Sequence, residues 1–275
     1  MLPGSLVRAE GAAAVSDIGA NEAYDGLGAT WNFYWDAYRR NSIDGAGLPL
    51  DGTVHYGEDY DNAFWDGERM VFGDGDGQVF RRFTSSLSVI GHELTHGVTQ
   101  FTANLEYQGQ SGALNESISD VFGVLVDQHS QGQTVETASW LVGPELFTDE
   151  VQGEALRSMK APGTAYDDDV LGKDPQPAHM SEYVETRDDS GGVHLNSGIP
   201  NRAFYLASAD IGGKAWEGAG QIWYDTITSG RLSPRSDFAA FASETSASAI
   251  TRFGTESTEA TAVATAWKTV GVEVK

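Results

Sequence analysis

The chain has 275 residues, of which 40% are hydrophobic and 11% aromatic, enough for one sizeable core or for two lobes that share a cleft. Its net charge of -23 argues against nucleic acid or an anionic membrane as a partner, because their phosphates would be repelled. The sequence has no cysteine, which excludes disulfides, thiolate metal ligands and cysteine nucleophiles.

The N-terminal part is predicted to hold one long helix and several short strands. Residues 1–10 lack the apolar h-region of a signal peptide, and no run approaches the roughly 18 apolar residues of a membrane span. The helix is expected at about 22–40, where aromatic residues recur at amphipathic spacing. Short strands are expected at 53–56 and 68–72.

A glycine-aspartate run at residues 73–77 follows the second of these strands. It predicts a tight turn that joins residues 70–72 to a further strand at 78–80. A calcium loop is the alternative, but the run lacks the later acidic residues that an EF-hand needs.

The segment 85–101 is predicted to be a helix with a metal-binding face. His92 and His96 lie four residues apart, so both imidazoles can turn toward one metal ion, and zinc suits that geometry. Glu93 lies next to the first histidine, where a carboxylate can act as a base on metal-bound water. The alternative is a core helix with two satisfied histidines. The predicted apolar stripe consists of Leu87, Ile90, Leu94, Val98 and Phe101.

A second helix is predicted at 111–128, with polar residues on the face opposite its apolar stripe. A carboxylate at Glu116 could complete a site with two histidines and one carboxylate, although an isolated glutamate is more often solvated. Asp120, one turn further on, could hold a ligating histidine. The stripe consists of Ile118, Val121, Phe122 and Leu125.

Loops are predicted between 130 and 187, and helices dominate after that. A glycine-containing turn at 188–194 delivers His194 just before a helix at 199–209. Plausible helix caps follow further on: Ser236-Asp237 and Ser257 at N-termini, and Gly254 and Gly271 at C-termini.

Six segments, in this order and over nearly the whole chain, resemble the thermolysin family of zinc metalloendopeptidases, and more closely its protealysin-like branch. One such motif is weak evidence, whereas six in order are specific. The segments are Asn62–Trp65, Met70–Gly77, His92–His96, Ser111–Asp120, Leu156–Met159 and Gly191–Gly198.

The resemblance implies one catalytic zinc ion and the residues around it. The implied ligands are His92, His96 and Glu116. Glu93 is the implied base, with Asp120 orienting the first histidine and Asn115 supporting the second.

The resemblance also assigns groups to the substrate. Tyr107 and His194 are the implied donors to the oxyanion of the tetrahedral intermediate, and Asp189 pairs with that histidine. Arg157 is the implied contact to a substrate carbonyl, while Asn62 and Ala63 hold the peptide as an added strand. The positions around the main specificity pocket are Phe80, Phe83, Val89 and Leu156, which implies cleavage on the amino side of bulky hydrophobic residues.

Two departures from the family pattern bear on the site. Ser190 stands where many relatives carry asparagine. Where relatives bind a pair of calcium ions, only Asp127 stays acidic, so no double calcium site is expected and a single calcium ion elsewhere stays open. The other four of those positions hold Ser88, Val135, Thr137 and Trp140.

The expected fold class is α+β, with a mostly β N-terminal lobe ending in the central helix (1–104) and a mostly α-helical C-terminal lobe (105–275). The expected function is a secreted-type zinc metalloendopeptidase that acts on peptides or proteins as a monomer. A propeptide or a protein inhibitor is left open as a partner, and the family implies an extracellular location. Two alternatives are a zinc-binding scaffold without catalysis and a zinc hydrolase of non-peptide amides or esters.

Overall fold

The computed structural model describes residues 2–274, so Met1 and Lys275, the outer ends of the two predicted lobes, lie outside the described part. Helix α1 spans Ile18–Tyr38, and Asp17 caps it by accepting the Ala20 N–H. The long helix predicted near the N-terminus is therefore confirmed, with an earlier start.

The N-terminal sheet is small and has three strands. β1 is Gly52–Thr53, β2 is Ala63–Trp65 and β3 is Met70–Phe72. β3 lies in the centre, parallel to β1 and antiparallel to β2. β2 is an edge strand, so an extended peptide could pair with its open side.

The hairpin predicted around residues 73–77 is wrong. β3 pairs with β2 instead of with residues 78–80, and Phe80 forms an isolated bridge with Phe147. The reason is the Asp76 carboxylate, which accepts the backbone N–H groups of residues 78–80 at 2.8 to 3.0 Å. Those donors are therefore not available to a ladder with β3.

The two aspartates of the same run have protein partners. Asp76 binds backbone N–H groups as described, and Asp74 lies 2.7 Å from His55 Nδ1. His55 Nε2 lies 2.9 Å from Asp17, so the imidazole links the run to the start of α1. The run therefore connects segments of the chain through its own side chains.

The rest of the chain is mostly helical, with two short antiparallel strand pairs. The helices are α2 Leu87–Gln100, α3 Gly109–Gln131, α4 Asp189–Asn196, α5 Gly198–Ile211, α6 Ala219–Thr228, α7 Phe238–Phe253 and α8 Thr258–Thr269. The strand pairs are β4 Leu141–Val142 with β5 Arg157–Ser158, and β6 Asp167–Asp168 with β7 Gly172–Lys173. Short 3-10 helices occur at Phe83–Ser85 and Met180–Glu182.

Helix α3 touches α1, α2 and α4–α7, so it lies at the centre of the molecule. Its predicted apolar stripe is confirmed, since Ile118, Val121, Phe122 and Leu125 are all buried. In α2 the predicted stripe is confirmed for Ile90, Leu94 and Val98, which are buried. Phe101 lies beyond the end of the helix and is 45% exposed. Among the described helices none is both long and apolar enough for a membrane crossing.

Two glycines let α2 and α3 approach closely. A Cβ added to Gly123 would lie 2.3 Å from the carbonyl oxygen of Ser88 and 2.9 Å from the nitrogen of His92. A Cβ added to Gly91 would lie 3.0 Å from Gly123 Cα. The helix backbones are therefore in direct contact, and this contact brings the polar faces of α2 and α3 together.

Candidate active site

His92 and His96 lie one turn apart on α2, and each ring faces an acceptor from α3. His92 Nδ1 donates to Asp120 Oδ1 at 2.7 Å, and His96 Nδ1 donates to Asn115 Oδ1 at 2.8 Å. The Asn115 amide is oriented because its Nδ2 donates to the carbonyl of Leu105. In a neutral ring that donates through Nδ1, Nε2 carries a lone pair. Both Nε2 atoms are therefore available as ligands.

The two Nε2 atoms converge on the carboxylate of Glu116. They lie 3.1 Å from each other, and 3.5 Å (His92) and 3.4 Å (His96) from the nearest Glu116 oxygen. Glu116 is only 1% exposed, and its Oε2 has no hydrogen-bond partner among the described residues. Two lone pairs and a buried carboxylate repel one another unless a cation lies between them. The three side chains therefore fit a metal ion with two nitrogen ligands and one oxygen ligand.

Protons compete for the same atoms. Burial disfavours the charged form of His92, but the carboxylates of Asp120 and Glu116 outweigh burial and raise the pKa of the ring. Burial likewise opposes ionisation of Glu116, yet the nearby His96 and His92 lower its pKa. The site therefore favours a positive charge between its ligands, whether a proton or a metal ion.

Asp120 is buried behind the ligands and accepts four hydrogen bonds. Besides His92, Arg157 donates to it through Nη2 at 2.6 Å and Nε at 2.8 Å, and Asn201 donates through Nδ2 at 2.8 Å. Burial opposes ionisation, but Arg157 and His92 hold the pKa of Asp120 well below its usual range. Asn201 was not predicted from the sequence. No sequence motif marks Asn201, and its role follows only from its contact with Asp120.

Tyr107 and His194 lie on the other side of Glu116. The Tyr107 hydroxyl donates to Glu116 Oε1 and lies 3.2 Å from His194 Nε2. Asp189 accepts both His194 Nδ1, at 2.6 Å, and the His194 backbone N–H, at 2.8 Å. Burial and the Glu116 carboxylate raise the pKa of the Tyr107 hydroxyl, so it stays a donor at neutral pH.

A left-handed turn delivers His194. Residues 189–192 all have positive φ angles, of 52°, 49°, 85° and 75°. A Cβ added to Gly191 would lie 2.9 Å from Gln108 Nε2 and 3.1 Å from Gly109 Cα. The turn therefore packs on the start of α3, directly beside the residue that follows Tyr107. The prediction of a glycine-containing turn before His194 is confirmed.

These groups surround one open cavity of about 390 Å³. Glu93 lines it beside the two histidines, and burial raises the pKa of this carboxyl group although His92 and His96 act in the opposite direction. Predicted residues on the lining are Asn62, Ala63, His92, Glu93, His96, Tyr107, Asn115, Glu116 and His194. Lining residues that were not predicted are Phe64, Trp65, Gln100, Asn104 and Leu105.

The two halves of the chain each match the model of a known protein family. Residues 7–100 match the model described as "Thermolysin metallopeptidase, catalytic domain", and residues 103–272 match the one described as "Thermolysin metallopeptidase, alpha-helical domain". The chain belongs to the thermolysin family of metallopeptidases. The predicted α+β, two-lobed fold class is thereby confirmed, and so is the prediction of a zinc metalloprotease.

Similar proteins carry consistent names. The chain is 60% identical over 274 residues to "Extracellular metalloprotease" of Pectobacterium carotovorum subsp. carotovorum, covering 100% of this chain and 78% of the relative. It is 51% identical over 276 residues to "Protease PrtS" of Photorhabdus sp. (strain Az29), covering 100% and 74%. The solved precursor of protealysin, a metalloproteinase from Serratia proteamaculans, matches with a TM-score of 0.97 and 57% identity, over 99% of this chain and 84% of that one. The resemblance to the protealysin-like branch is confirmed.

Five of the predicted substrate-binding residues of this thermolysin-family chain do not line the cavity: Phe80, Phe83, Val89, Leu156 and Arg157. Phe83 and Val89 are buried in the core, and the Phe80 ring packs 5.7 Å from the Phe83 ring. Leu156 also packs against this core. The role of the four apolar side chains as a specificity pocket stays a prediction.

At the positions where no double calcium site was expected, Trp140 and Ser88 make hydrogen bonds within the protein. Trp140 is buried and donates its Nε1 hydrogen to the carbonyl of Val135. Ser88 Oγ accepts the Gly143 N–H at 3.0 Å. Asp127 keeps its carboxyl group, and burial raises its pKa. Within residues 2–274, His92, His96 and Glu116 form the one group of three such side chains close enough to share an ion.

Proposed function

We propose that this chain is an endopeptidase that hydrolyses peptide bonds on the amino side of bulky hydrophobic residues, with Glu93 as the base. The observation that carries the proposal is the single cavity that Glu93, Tyr107 and His194 share with three metal-ligand atoms. A ligand set, a neighbouring carboxylate and facing hydrogen-bond donors are the parts that metal-assisted hydrolysis needs.

The chemistry divides between the metal and the protein. His92, His96 and Glu116 would hold a zinc ion, which would act as a Lewis acid on the scissile carbonyl and lower the pKa of water. Glu93 then takes the proton of the attacking water and gives it to the leaving amine. Burial raises the pKa of Glu93, which makes this carboxylate a stronger base than an exposed glutamate.

Tyr107 and His194 are proposed to stabilise the oxyanion of the tetrahedral intermediate. Both point into the cavity and lie 3.2 Å apart, so one oxygen can accept from both. His194 Nδ1 donates to Asp189 at 2.6 Å, which fixes the orientation of the ring. Asp189 is therefore proposed to orient this donor.

The peptide is proposed to lie along the open edge of β2. Asn62 and Ala63 are at that edge and line the cavity. Arg157 uses Nε and Nη2 on Asp120, which leaves Nη1 for a substrate carbonyl. The apolar side chains of Phe80, Phe83, Val89 and Leu156 are proposed to form the pocket for the residue after the cut.

Further proposals concern the whole protein. We propose a boundary between lobes at residues 104 and 105, and a monomer as the active form. The relatives named extracellular support secretion, and the relative described as a precursor supports a propeptide. A protein inhibitor and a single calcium ion are left open.

The test is to map the cuts that the purified chain makes in an unstructured protein by mass spectrometry, with and without a zinc chelator. Chelator-sensitive cuts before leucine, phenylalanine or similar residues support the proposal. The Glu93→Gln variant should keep one zinc ion per chain and lose turnover. No cuts by the zinc-loaded native chain would favour a non-catalytic scaffold or a hydrolase of non-peptide substrates.

A further inference from the structure

Asp120 is the point at which four elements meet behind the metal ligands. Oδ1 accepts from His92 on α2 and from Arg157 on β5, and Oδ2 accepts from Arg157 and from Asn201 on α5. A carboxylate has about four lone-pair sites on its two oxygens. All of them are used here, so the plane of the carboxylate is fixed by its donors.

Asn201 is a polar donor at a fully buried position of α5. It is 0% exposed, and its one side-chain hydrogen bond among the described residues goes to Asp120. Its Oδ1 has no partner within the described part of the chain. Its neighbours Ile199, Ala203 and Phe204 are all fully buried. An amide in such surroundings is costly, so packing alone gives no reason for a polar residue at this position.

We propose that Asn201 is a positioning residue for the metal site. By holding Asp120 Oδ2, its amide keeps Oδ1 aimed at His92 Nδ1, and so keeps His92 Nε2 aimed at the metal. The inference rests on the proposed zinc site, because a positioned His92 Nε2 has a function only if it binds a metal ion.

The hydrogen bond from Asn201 to Asp120 also links the helix next to His194 with the helices that carry the metal ligands. Helix α4, which carries His194, adjoins α5 at Ser197. Gln176 Nε2 holds this junction by donating to the carbonyl of His194 at 2.6 Å and to Ser197 Oγ at 3.0 Å. Asn201 lies in the first turns of α5 and bonds to Asp120. The oxyanion donor and the zinc ligand are thus placed relative to each other through Asn201.

The experiment compares Asn201→Leu with Ser208→Ala in the full chain. Leucine keeps the branched shape of asparagine, with a larger volume, and removes the donor. Ser208 is a matched control, since it is 1% exposed on the same helix and its Oγ has no partner among the described residues. Zinc affinity is measured by competition with a chelator, and the stability of the zinc-free protein by urea unfolding.

We expect Asn201→Leu to weaken zinc binding about 10-fold, at the lower end of the range seen when residues that orient metal ligands are lost. Ser208→Ala should change zinc affinity less than about twofold. In nitrogen NMR spectra of the zinc-loaded protein, the exchange-protected Nδ1–H signal of His92 should be present in the native chain and weakened in Asn201→Leu. If Asn201 had a purely structural role, Asn201→Leu would lower the stability of the zinc-free protein without changing the zinc affinity or the His92 signal.

Unchanged zinc affinity and an unchanged His92 signal in Asn201→Leu overturn the inference while the proposed function stands. A native chain that binds no zinc overturns both. If the leucine variant does not fold, Asn201→Ala is measured in its place, with the same expectation and the same refuting result.

Discussion

Replacing Gly123 by alanine tests whether the contact between α2 and α3 holds the metal site together. The new Cβ would lie 2.3 Å from the Ser88 oxygen and 2.9 Å from the His92 nitrogen, whereas ordinary contact begins at 3.4 Å. Both are backbone atoms, which cannot swing aside as a side chain can. The helices must therefore separate by roughly 1 Å, because a close-packed interior offers no other room.

A separation of that size is large compared with what a zinc site tolerates. Ligand distances need to stay within about 0.2 Å of their ideal values. Since Glu116 lies on α3 and both histidines on α2, the shift moves one ligand away from the other two. We expect zinc affinity to fall by at least about 100-fold. Overpacking costs about 1–3 kcal/mol, more than the roughly 1 kcal/mol that alanine gains over glycine in a helix.

Gly28→Ala is the matched control for this experiment. Gly28 lies inside α1, and a Cβ added there would meet nothing within 4 Å. This variant should gain up to about 1 kcal/mol of unfolding free energy and bind zinc as the native chain does. Urea unfolding and chelator competition measure both quantities. If Gly123→Ala were stabilised like Gly28→Ala and bound zinc normally, the reasoning about the helix contact would be refuted.

Three further predictions concern His55, Ser190 and Tyr107. Asp74 and Asp17 raise the pKa of His55. The contribution of His55 to the unfolding free energy should therefore be full below about pH 6.5 and be lost as the pH rises through the raised pKa. Because the ring is half-exposed, this contribution should stay below about 1 kcal/mol. Urea unfolding at pH 5.5 and 8.5 should show a larger loss of unfolding free energy in the native chain than in His55→Gln, because His92, whose pKa is also raised, contributes to both. Ser190→Asn should raise the unfolding free energy by about 0.5 kcal/mol, since asparagine tolerates a positive φ better, and an equal or lower unfolding midpoint would contradict this. Tyr107→Phe should lower kcat about 100-fold with zinc retained, and a loss of zinc would instead show that the hydroxyl supports Glu116.

Helical spacing was sufficient to predict the part of the site that lies on α2 alone. Two histidines four residues apart had to share a face of α2, and the structure places their Nε2 atoms 3.1 Å apart. Spacing could not select Glu116 among many carboxylates, because the crossing of α2 and α3 decides that. The family resemblance supplied the choice, together with Tyr107 and His194.

Tertiary contacts account for what the sequence did not predict. The turn at residues 73–77 carried a local hairpin signal, but bonds from the Asp76 carboxylate overrode it. Phe101 fitted a helical apolar stripe, but α2 ends before it. Asn201 carries no motif, and its importance follows only from the distance to Asp120.

Helix α3 supplies one metal ligand and the acceptors of both histidine rings, and this arrangement separates two ways of damaging the site. Asn115, Glu116 and Asp120 move together when the helix moves as a rigid body. A displacement such as that expected for Gly123→Ala therefore weakens zinc binding at all three ligands at once. Loss of Asp120 would instead free one ring only, since His96 keeps its own acceptor on Asn115. Ring-specific NMR signals of the two histidines can distinguish these cases, because the first affects both rings and the second only His92.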